Sequence, residues 1–160
     1  MNKLRLILGD QLNINHSWFK ENNSKITYVM MEVKEETSYV LHHAQKIIAT
    51  FAAMRFFAEQ LQQKGFEVIY FKINDKQNKQ SFYQNINKTI KEKNIGELQY
   101  LEPDEYRLST ELKKLESIEN IKVESVDTEH FLVPKLYAKD FFSEKKHWRM
   151  EEFYRNMRKK

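Results

Sequence analysis

The sequence predicts an α/β fold built on a mostly parallel sheet of five strands, with helices on both faces. Short apolar segments rich in β-branched and aromatic residues alternate with segments of helical periodicity between residues 3 and 126. This alternation is typical of a doubly wound, Rossmann-like sheet. The chain has 160 residues, of which 41% are hydrophobic and 31% charged, so it is long enough and apolar enough for one domain with a full core.

The first elements are two strands and a long helix. Residues 3–8 form a short apolar run that ends at Gly9, the pattern of a buried parallel strand followed by a turn, and residues 25–32 repeat it. Residues 43–64 are the clearest helix, because apolar residues recur there at spacings of three and four, and Gly65 follows as a stop signal. The apolar face consists of Ala44, Ile47, Phe51, Met54, Ala58 and Leu61.

The later elements continue the alternation. They are a strand at 66–71, a helix at 81–93, a strand at 97–101, a helix at 107–117 and a strand at 121–126. The second helix is expected to end at Asn94 and Gly96, and Pro103 closes the fourth strand because proline cannot donate to a sheet ladder.

The alternation stops after residue 127, which predicts an α/β domain at 1–127 and a tail at 128–160. The tail reads as an irregular linker or one short helix, followed by a basic helix from about Met150. Its aromatic residues Trp148, Phe153 and Tyr154 have few aliphatic partners, so we expect them to need a cover and to favour dimer contacts. Positive charge is concentrated here in Lys145, Lys146, Arg149, Arg155, Arg158, Lys159 and Lys160.

Composition excludes several classes of function. The chain has no cysteine, which excludes disulfides and thiolate chemistry within these residues. It has neither a secretory signal pattern nor an apolar run near the ~20 residues of a membrane span, so we expect a cytoplasmic protein without a membrane partner. The adjacent His42 and His43 point about 100° apart on a helix and cannot share a metal ion. No nucleophile turn or H-E-x-x-H occurs, so we predict no catalytic residue and no metal site.

The turn after the first strand is the first candidate binding element. Gly9, Asp10 and Gln11 follow that strand, but they lack the G-x-G-x-x-G and G-K-[ST] patterns of phosphate-binding loops. Gly9 allows a ligand ring or a neighbouring strand to approach the backbone, while Asp10 and Gln11 offer donors and acceptors. The alternative, a tight turn with Asp10 as a helix cap, is equally open.

Acidic and aromatic residues follow the second strand. Glu32, Glu35, Glu36 and Tyr39 are expected on the same carboxyl edge of the sheet as Asp10. In open α/β sheets ligands bind in a crevice at this edge, and the residues suit a heteroaromatic ligand with amide-like edges and hydroxyls. The alternative is that Glu35 and Glu36 only favour a helix N-terminus.

Four blocks of sequence together resemble one known family. They are L-I-L-G-D-Q-L at 6–12, E-x-S-Y-V-x-H-H at 36–43, A-M-R-x-F-A-E at 53–59 and M-E-x-F-Y-R-x-M-R at 150–158. In this order they resemble the N-terminal region of the deoxyribodipyrimidine photolyase-related family, which comprises bacterial cryptochromes and (6-4) photolyases with an iron–sulfur cluster. The resemblance covers essentially the whole chain.

The resemblance implies an antenna domain. In the family an α/β domain of this size binds a light-harvesting ribityllumazine, which implies 6,7-dimethyl-8-ribityllumazine near Gly9, Asp10, Met31, Glu36, Tyr39 and Thr50. Family members often carry an apolar residue at the position of Thr50 and a smaller one at Met31. FAD, the 4Fe-4S cluster and the surface for damaged DNA belong to a larger helical domain that these residues do not include. The implied reaction is light-driven repair of pyrimidine photoproducts, or photoreception.

Two other functions are open at this stage. One is a stand-alone domain that binds a small ligand or nucleotide, and the other is a protein-interaction module that uses the aromatic face of the C-terminal helix.

Overall fold

The computed structural model describes residues 1–131, 133–144 and 146–159. The chain forms two compact units, Met1–Val126 and Asp127–Lys160. Two members of the basic cluster, Lys145 and Lys160, lie outside the described residues. In the described part of the chain, no helix has both the length and the apolar character needed to cross a bilayer.

The first unit contains one sheet of five parallel strands. The strands are β1 (Asn2–Leu6), β2 (Ile26–Met31), β3 (Glu67–Phe71), β4 (Ile95–Leu101) and β5 (Lys122–Val126). Their order is β3-β2-β1-β4-β5, and every neighbouring pair is parallel. The chain therefore runs outward from β1 through β2 to β3 and returns to β4 on the other side of β1. This reversal between β1 and β4 is the topological switch point where such sheets bind ligands.

Four α-helices of the first unit follow three of the strands, β2, β3 and β4. They are α1 (Lys34–Ser38), α2 (Ala44–Gln63), α3 (Phe82–Lys93) and α4 (Tyr106–Lys113), and short 3-10 helices lie at Ser17–Phe19 and Lys114–Ser117. At the start of α2, His43 accepts a hydrogen bond from the backbone N–H of Gln45. After α2, Gly65 adopts a φ of 85°, which is the left-handed conformation of a glycine stop signal. Asn94 ends α3 in the same conformation with a φ of 51°.

The helices cover both faces of the sheet, which confirms the predicted fold. Alternate residues of β2 point to opposite faces: Val29 belongs to one buried cluster, with the apolar residues of α3 and α4, whereas Met30 belongs to another, with those of α2. The strands are apolar on both sides because each side is buried, as expected for a parallel sheet.

The connection after β1 differs from the predicted pattern. The sequence favoured a strand through Leu8, but β1 ends at Leu6, and the following connection contains a 3-10 helix instead of an α-helix. The side chain of Gln11 explains the early end. It accepts a hydrogen bond from the backbone N–H of Leu8 at 3.1 Å and donates to the carbonyl of Leu101 at 3.1 Å, so it occupies backbone groups at the sheet edge.

The second unit contains α5 (Lys135–Phe142) and α6 (Met150–Met157). The ring of Phe153 on α6 lies 5.3 Å from that of Phe141 and 5.6 Å from that of Phe142, between centroids. Phe153, which was expected to need a cover because it has few aliphatic partners, is thus covered in part by the aromatic rings of α5. Trp148 and Tyr154 are 76% and 64% exposed, as expected from their few aliphatic neighbours.

Candidate functional site

A cavity of about 250 Å³ lies at the carboxyl ends of β1 and β2 and beside α4. Its walls come from the turn after β1, the end of β2, the segment 33–42 that includes α1, the first half of α2, and the N-terminal ends of α3 and α4. The volume is slightly below the range of about 300–1,000 Å³ that is usual for small-molecule sites. The cavity is therefore at the edge where the topology of the sheet favours a ligand.

The inner wall of the cavity is apolar. Leu8 lines it from the turn after β1, Met31 from β2, Met54 from α2, and Phe82 and Leu108 from α3 and α4. Met31 is only 3% exposed, and its sulfur accepts a hydrogen bond from the side chain of Asn85 on α3 at 3.5 Å. Such a wall suits a planar ring, since ring faces are apolar and bury a large area.

Gly9 allows α2 to approach the turn after β1. A Cβ atom at this position would lie 3.0 Å from the sulfur of Met54 and 3.1 Å from a methyl carbon of Thr50. Both distances are below ordinary van der Waals contact, so any larger residue displaces these side chains. The atoms that approach the Gly9 backbone thus belong to α2, and Gly9, Met54 and Thr50 together form one corner of the cavity.

Arg107 on α4 holds α1 at the cavity mouth. Its Nη1 and Nη2 each donate a hydrogen bond of 3.0 Å to the carboxylate of Glu36, and its Nε donates to Glu105 at 2.8 Å. The guanidinium carbon lies 3.8 Å from the ring centroid of Tyr39. The hydrogen bond to Glu36 raises the pKa of Arg107 above its usual value, so the guanidinium stays charged. We call Arg107, Glu36 and Tyr39 the mouth cluster.

The mouth cluster holds α1 in position, because α1 buries almost no apolar surface of its own. No residue of α1 is buried, and the residues that follow are also open to solvent: Tyr39 is 44% exposed and Val40 50% exposed. With so little apolar burial, the position of this segment depends on polar and ring contacts. Glu35 and Glu36 lie in the first turn of α1, as the helix-start interpretation expected, and Glu36 also serves the cluster.

His42 lines the cavity next to the mouth cluster. Its ring meets that of Tyr39 edge-to-face, with centroids 4.9 Å apart. Its Nε2 is buried and has no hydrogen-bond partner among the residues that the structure describes. The cavity is also lined by the exposed side chains of Asp10, in the turn after β1, and Lys46, in the first turn of α2.

Two predicted site residues do not line the cavity and have other partners. Gln11 bonds backbone groups of the sheet edge, as described above. The carboxylate of Glu32 is fully buried and accepts hydrogen bonds from Arg55 at 2.6 and 2.8 Å, from Tyr70 at 2.7 Å and from the backbone N–H of Ile73 at 2.8 Å. Burial alone raises the pKa of Glu32, but these donors outweigh it and hold the pKa below its usual value.

The remaining predicted residues lie together in the cavity wall: Gly9, Asp10, Met31, Glu36, Tyr39 and Thr50. Their role in binding stays a prediction. Asp10 caps no helix, because the nearest element along the chain is the 3-10 helix, whose N-cap is His16. Among the described residues, no group of three or more His, Asp or Glu side chains is arranged to hold a metal ion.

Sequence reasoning missed Arg107 and the role of His42. Arg107 stands at the start of a predicted helix, 71 residues from Glu36, and no local pattern distinguishes it from other surface arginines. His42 was considered only as a metal ligand with His43. One signal in the sequence could have pointed to both residues. His42 directly precedes one predicted helix and Arg107 begins another, and both helices start at the edge of the sheet where ligands bind.

Comparisons with known proteins identify the family of the chain. The family model described as deoxyribodipyrimidine photo-lyase-related protein matches residues 5–160. A protein of Agrobacterium fabrum (strain C58) named (6-4) photolyase is 35% identical to the chain over 161 residues. That match covers 100% of this chain but 32% of the relative, so the chain spans about a third of the length of the curated relative.

Proposed function

Since the chain belongs to the deoxyribodipyrimidine photolyase-related family, we propose that it is the antenna-type domain of a photolyase or cryptochrome-like flavoprotein. In this proposal the cavity binds a light-harvesting heteroaromatic chromophore of the 6,7-dimethyl-8-ribityllumazine class. The bound chromophore absorbs blue or near-ultraviolet light and passes the excitation to FAD. The FAD, the 4Fe-4S cluster and the surface for damaged DNA are assigned to a domain outside this sequence, which performs photorepair or photoreception.

The observation that carries the proposal is the match between the cavity and such a ring. The inner wall is apolar and the mouth is polar, with Asp10, Glu36 and Tyr39 near the opening. A lumazine ring has apolar faces, and its ribityl chain carries hydroxyl groups that need polar partners. Both oxygens of Glu36 accept from Arg107, yet each carboxylate oxygen keeps a second acceptor site for a ligand hydroxyl.

Titration of 6,7-dimethyl-8-ribityllumazine into the 160-residue chain, followed by ligand fluorescence, tests the proposal. We expect a saturable change at micromolar ligand. Tyr39→Ala should weaken binding several-fold, because one ring contact is lost from the mouth cluster and each polar contact is worth on the order of 1 kcal/mol. Tyr106→Ala is the matched control, since Tyr106 is 86% exposed and is not part of the cavity wall.

Two results would count against the proposal. No saturable change up to high micromolar lumazine would contradict the site. Saturable binding of an adenine nucleotide with no binding of lumazine would favour instead a domain that binds nucleotides at the same switch point.

A further inference from the structure

We propose that the mouth of the cavity selects a ligand whose ribityl chain ends in a hydroxyl group over the same ligand with a terminal phosphate, and that Asp10 and Glu105 determine this selectivity. The inference rests on the proposed function, because it names the subclass of ribityl compound that the same cavity accepts. Both residues belong to the cavity wall, and both are exposed to solvent.

The first argument is that three adjacent strands each place a carboxylate at the cavity. Asp10 follows β1, Glu36 follows β2 and Glu105 follows β4, and all three residues line the cavity. These strands are neighbours in a parallel sheet, so their carboxyl ends meet at one edge. The side chains of Glu36 and Glu105 are 27% and 46% exposed. Since charges act over several ångström, they influence a ligand at the mouth without direct contact.

The second argument is that cations do not balance these carboxylates. Among the described residues, Lys46 is the one lysine or arginine in the cavity wall. Arg107 lies beside the wall, but its Nε, Nη1 and Nη2 donate to Glu105 and Glu36 at 2.8, 3.0 and 3.0 Å. Three carboxylates against two cations leave a net charge of −1 at the mouth. A phosphate monoester, which carries about −1.5 to −2 at neutral pH, is therefore repelled.

The third argument is that the turn after β1 lacks the donors that hold phosphate in many α/β folds. Those folds use free backbone N–H groups in a glycine-rich turn and at the start of the following α-helix. Here the N–H of Leu8 donates to the side chain of Gln11, and the N–H of Gln11 donates to the carbonyl of Leu8, each at 3.1 Å. The next element is a 3-10 helix of three residues. The turn thus contributes the carboxylate of Asp10 in place of a phosphate-binding loop.

A hydroxyl end of the ribityl chain suits the same mouth. Because the inner wall of the cavity is apolar, it takes the ring, and the ribityl chain is left to the polar opening. A hydroxyl group donates a hydrogen bond to a carboxylate, whereas a doubly ionised phosphate has only acceptor oxygens. One set of carboxylates therefore attracts the hydroxyl compound and repels its phosphate ester.

Two ligands that differ only in a phosphate test the inference in the 160-residue chain: 6,7-dimethyl-8-ribityllumazine and its 5′-phosphate ester. In 0.1 M salt we expect the ester to bind about 10-fold more weakly to wild type, from the repulsion of like charges in water. Asp10→Asn and Glu105→Gln each remove one negative charge and keep an acceptor oxygen. Each should lower the ratio of the two dissociation constants about 3-fold, whatever its effect on lumazine itself. Glu119→Gln is the matched control, because Glu119 is exposed and precedes β5 at the opposite edge of the sheet.

The salt dependence of wild type separates charge repulsion from a steric cause, and it needs no substitution. Raising the salt from 0.1 M to 1 M shortens the screening length from about 10 Å to about 3 Å. The ratio of the two dissociation constants should then fall to about 3-fold or less. A ratio that neither salt nor the two substitutions change would assign the selectivity to the size of the mouth and overturn the inference.

The binding outcomes also distinguish the inference from the proposed function. If wild type binds lumazine and binds the phosphate ester as tightly or more tightly, the inference is wrong, Lys46 becomes the candidate anion-binding residue, and the proposed function stands. If neither ligand gives a saturable change, the proposed function fails and takes the inference with it.

Discussion

Replacing Arg107 by methionine tests how the mouth cluster positions the ligand site. The substitution keeps an unbranched apolar stem, shorter than that of arginine, and removes both hydrogen bonds to Glu36 and the cation over the Tyr39 ring. Because α1 buries no residue, we expect its position at the cavity mouth to become less defined. Binding of lumazine should weaken while the α/β core stays folded.

The size of the effect follows from the exposure of the pair. The side chains of Arg107 and Glu36 are 36% and 27% exposed, so solvent screens the ion pair, which then contributes about 0.5–1 kcal/mol. The cation over Tyr39 adds about 0.5–1 kcal/mol. The sum, about 1–2 kcal/mol, corresponds to a 5- to 30-fold loss of affinity if the whole cluster supports the bound state.

Fluorescence titration of lumazine measures this loss of affinity. A double-substitution cycle then shows how much of the loss comes from the contact between Arg107 and Glu36. Arg107→Met should cost less in a Glu36→Gln background, since the ion pair is then already weakened. Arg107→Lys keeps the charge without the two-pronged contact and should recover only part of the affinity. Arg155→Met is the matched control, because Arg155 forms an ion pair with Glu151 at 2.7 Å in the second unit and is not part of the cavity wall. Wild-type affinity in a well-folded Arg107→Met variant would refute the reasoning.

Further predictions concern other parts of the chain. Because its folded pKa lies below the ordinary value of 4.5, Glu32 stabilises the fold above that pH and loses this effect as pH falls through the folded pKa. The thermal midpoint of wild type should therefore fall more steeply between pH 6 and pH 3 than that of Glu32→Gln, and parallel curves would contradict this. Gly9→Ala should displace Met54 and weaken lumazine binding several-fold without unfolding the chain, checked by titration and circular dichroism. Replacing the exposed Trp148 and Tyr154 by serine should reduce any dimer seen by light scattering at an unchanged thermal midpoint, and an undiminished dimer would place the contact elsewhere.

The fold was predictable because its signals are local. The periodicity of α2 and the apolar strands each depend on neighbours within a few residues, and α/β alternation then allows few topologies. The start of α1 was predicted only by the alternative interpretation of Glu35 and Glu36, in which the two acids favour a helix N-terminus. The predicted end of β1 was two residues too late. The strand ends early because the side chain of Gln11 bonds to the sheet edge, and its partner Leu101 is 90 positions away in the sequence.

The candidate site was predictable in location but not in detail. Gly9, Asp10 and Tyr39 follow neighbouring strands, so the parallel sheet brings them to one edge. Glu32 comes from the same stretch of chain, yet its side chain is directed to Arg55 and Tyr70. A strand alternates its side chains between two faces, and a shift of one residue decides whether a carboxylate meets the cavity or an ion-pair partner.

The sequence by itself determined the α/β alternation, the edge of the sheet where the cavity lies, and membership of the photolyase-related family. Only the tertiary structure decided that Arg107 holds Glu36 and Tyr39, that His42 is left with a buried nitrogen while His43 caps α2, and that Phe153 packs on α5. The reason is physical. Periodicity and turn signals act over a few residues, whereas the partner of a buried polar or charged group depends on which distant segments the fold brings within hydrogen-bond distance.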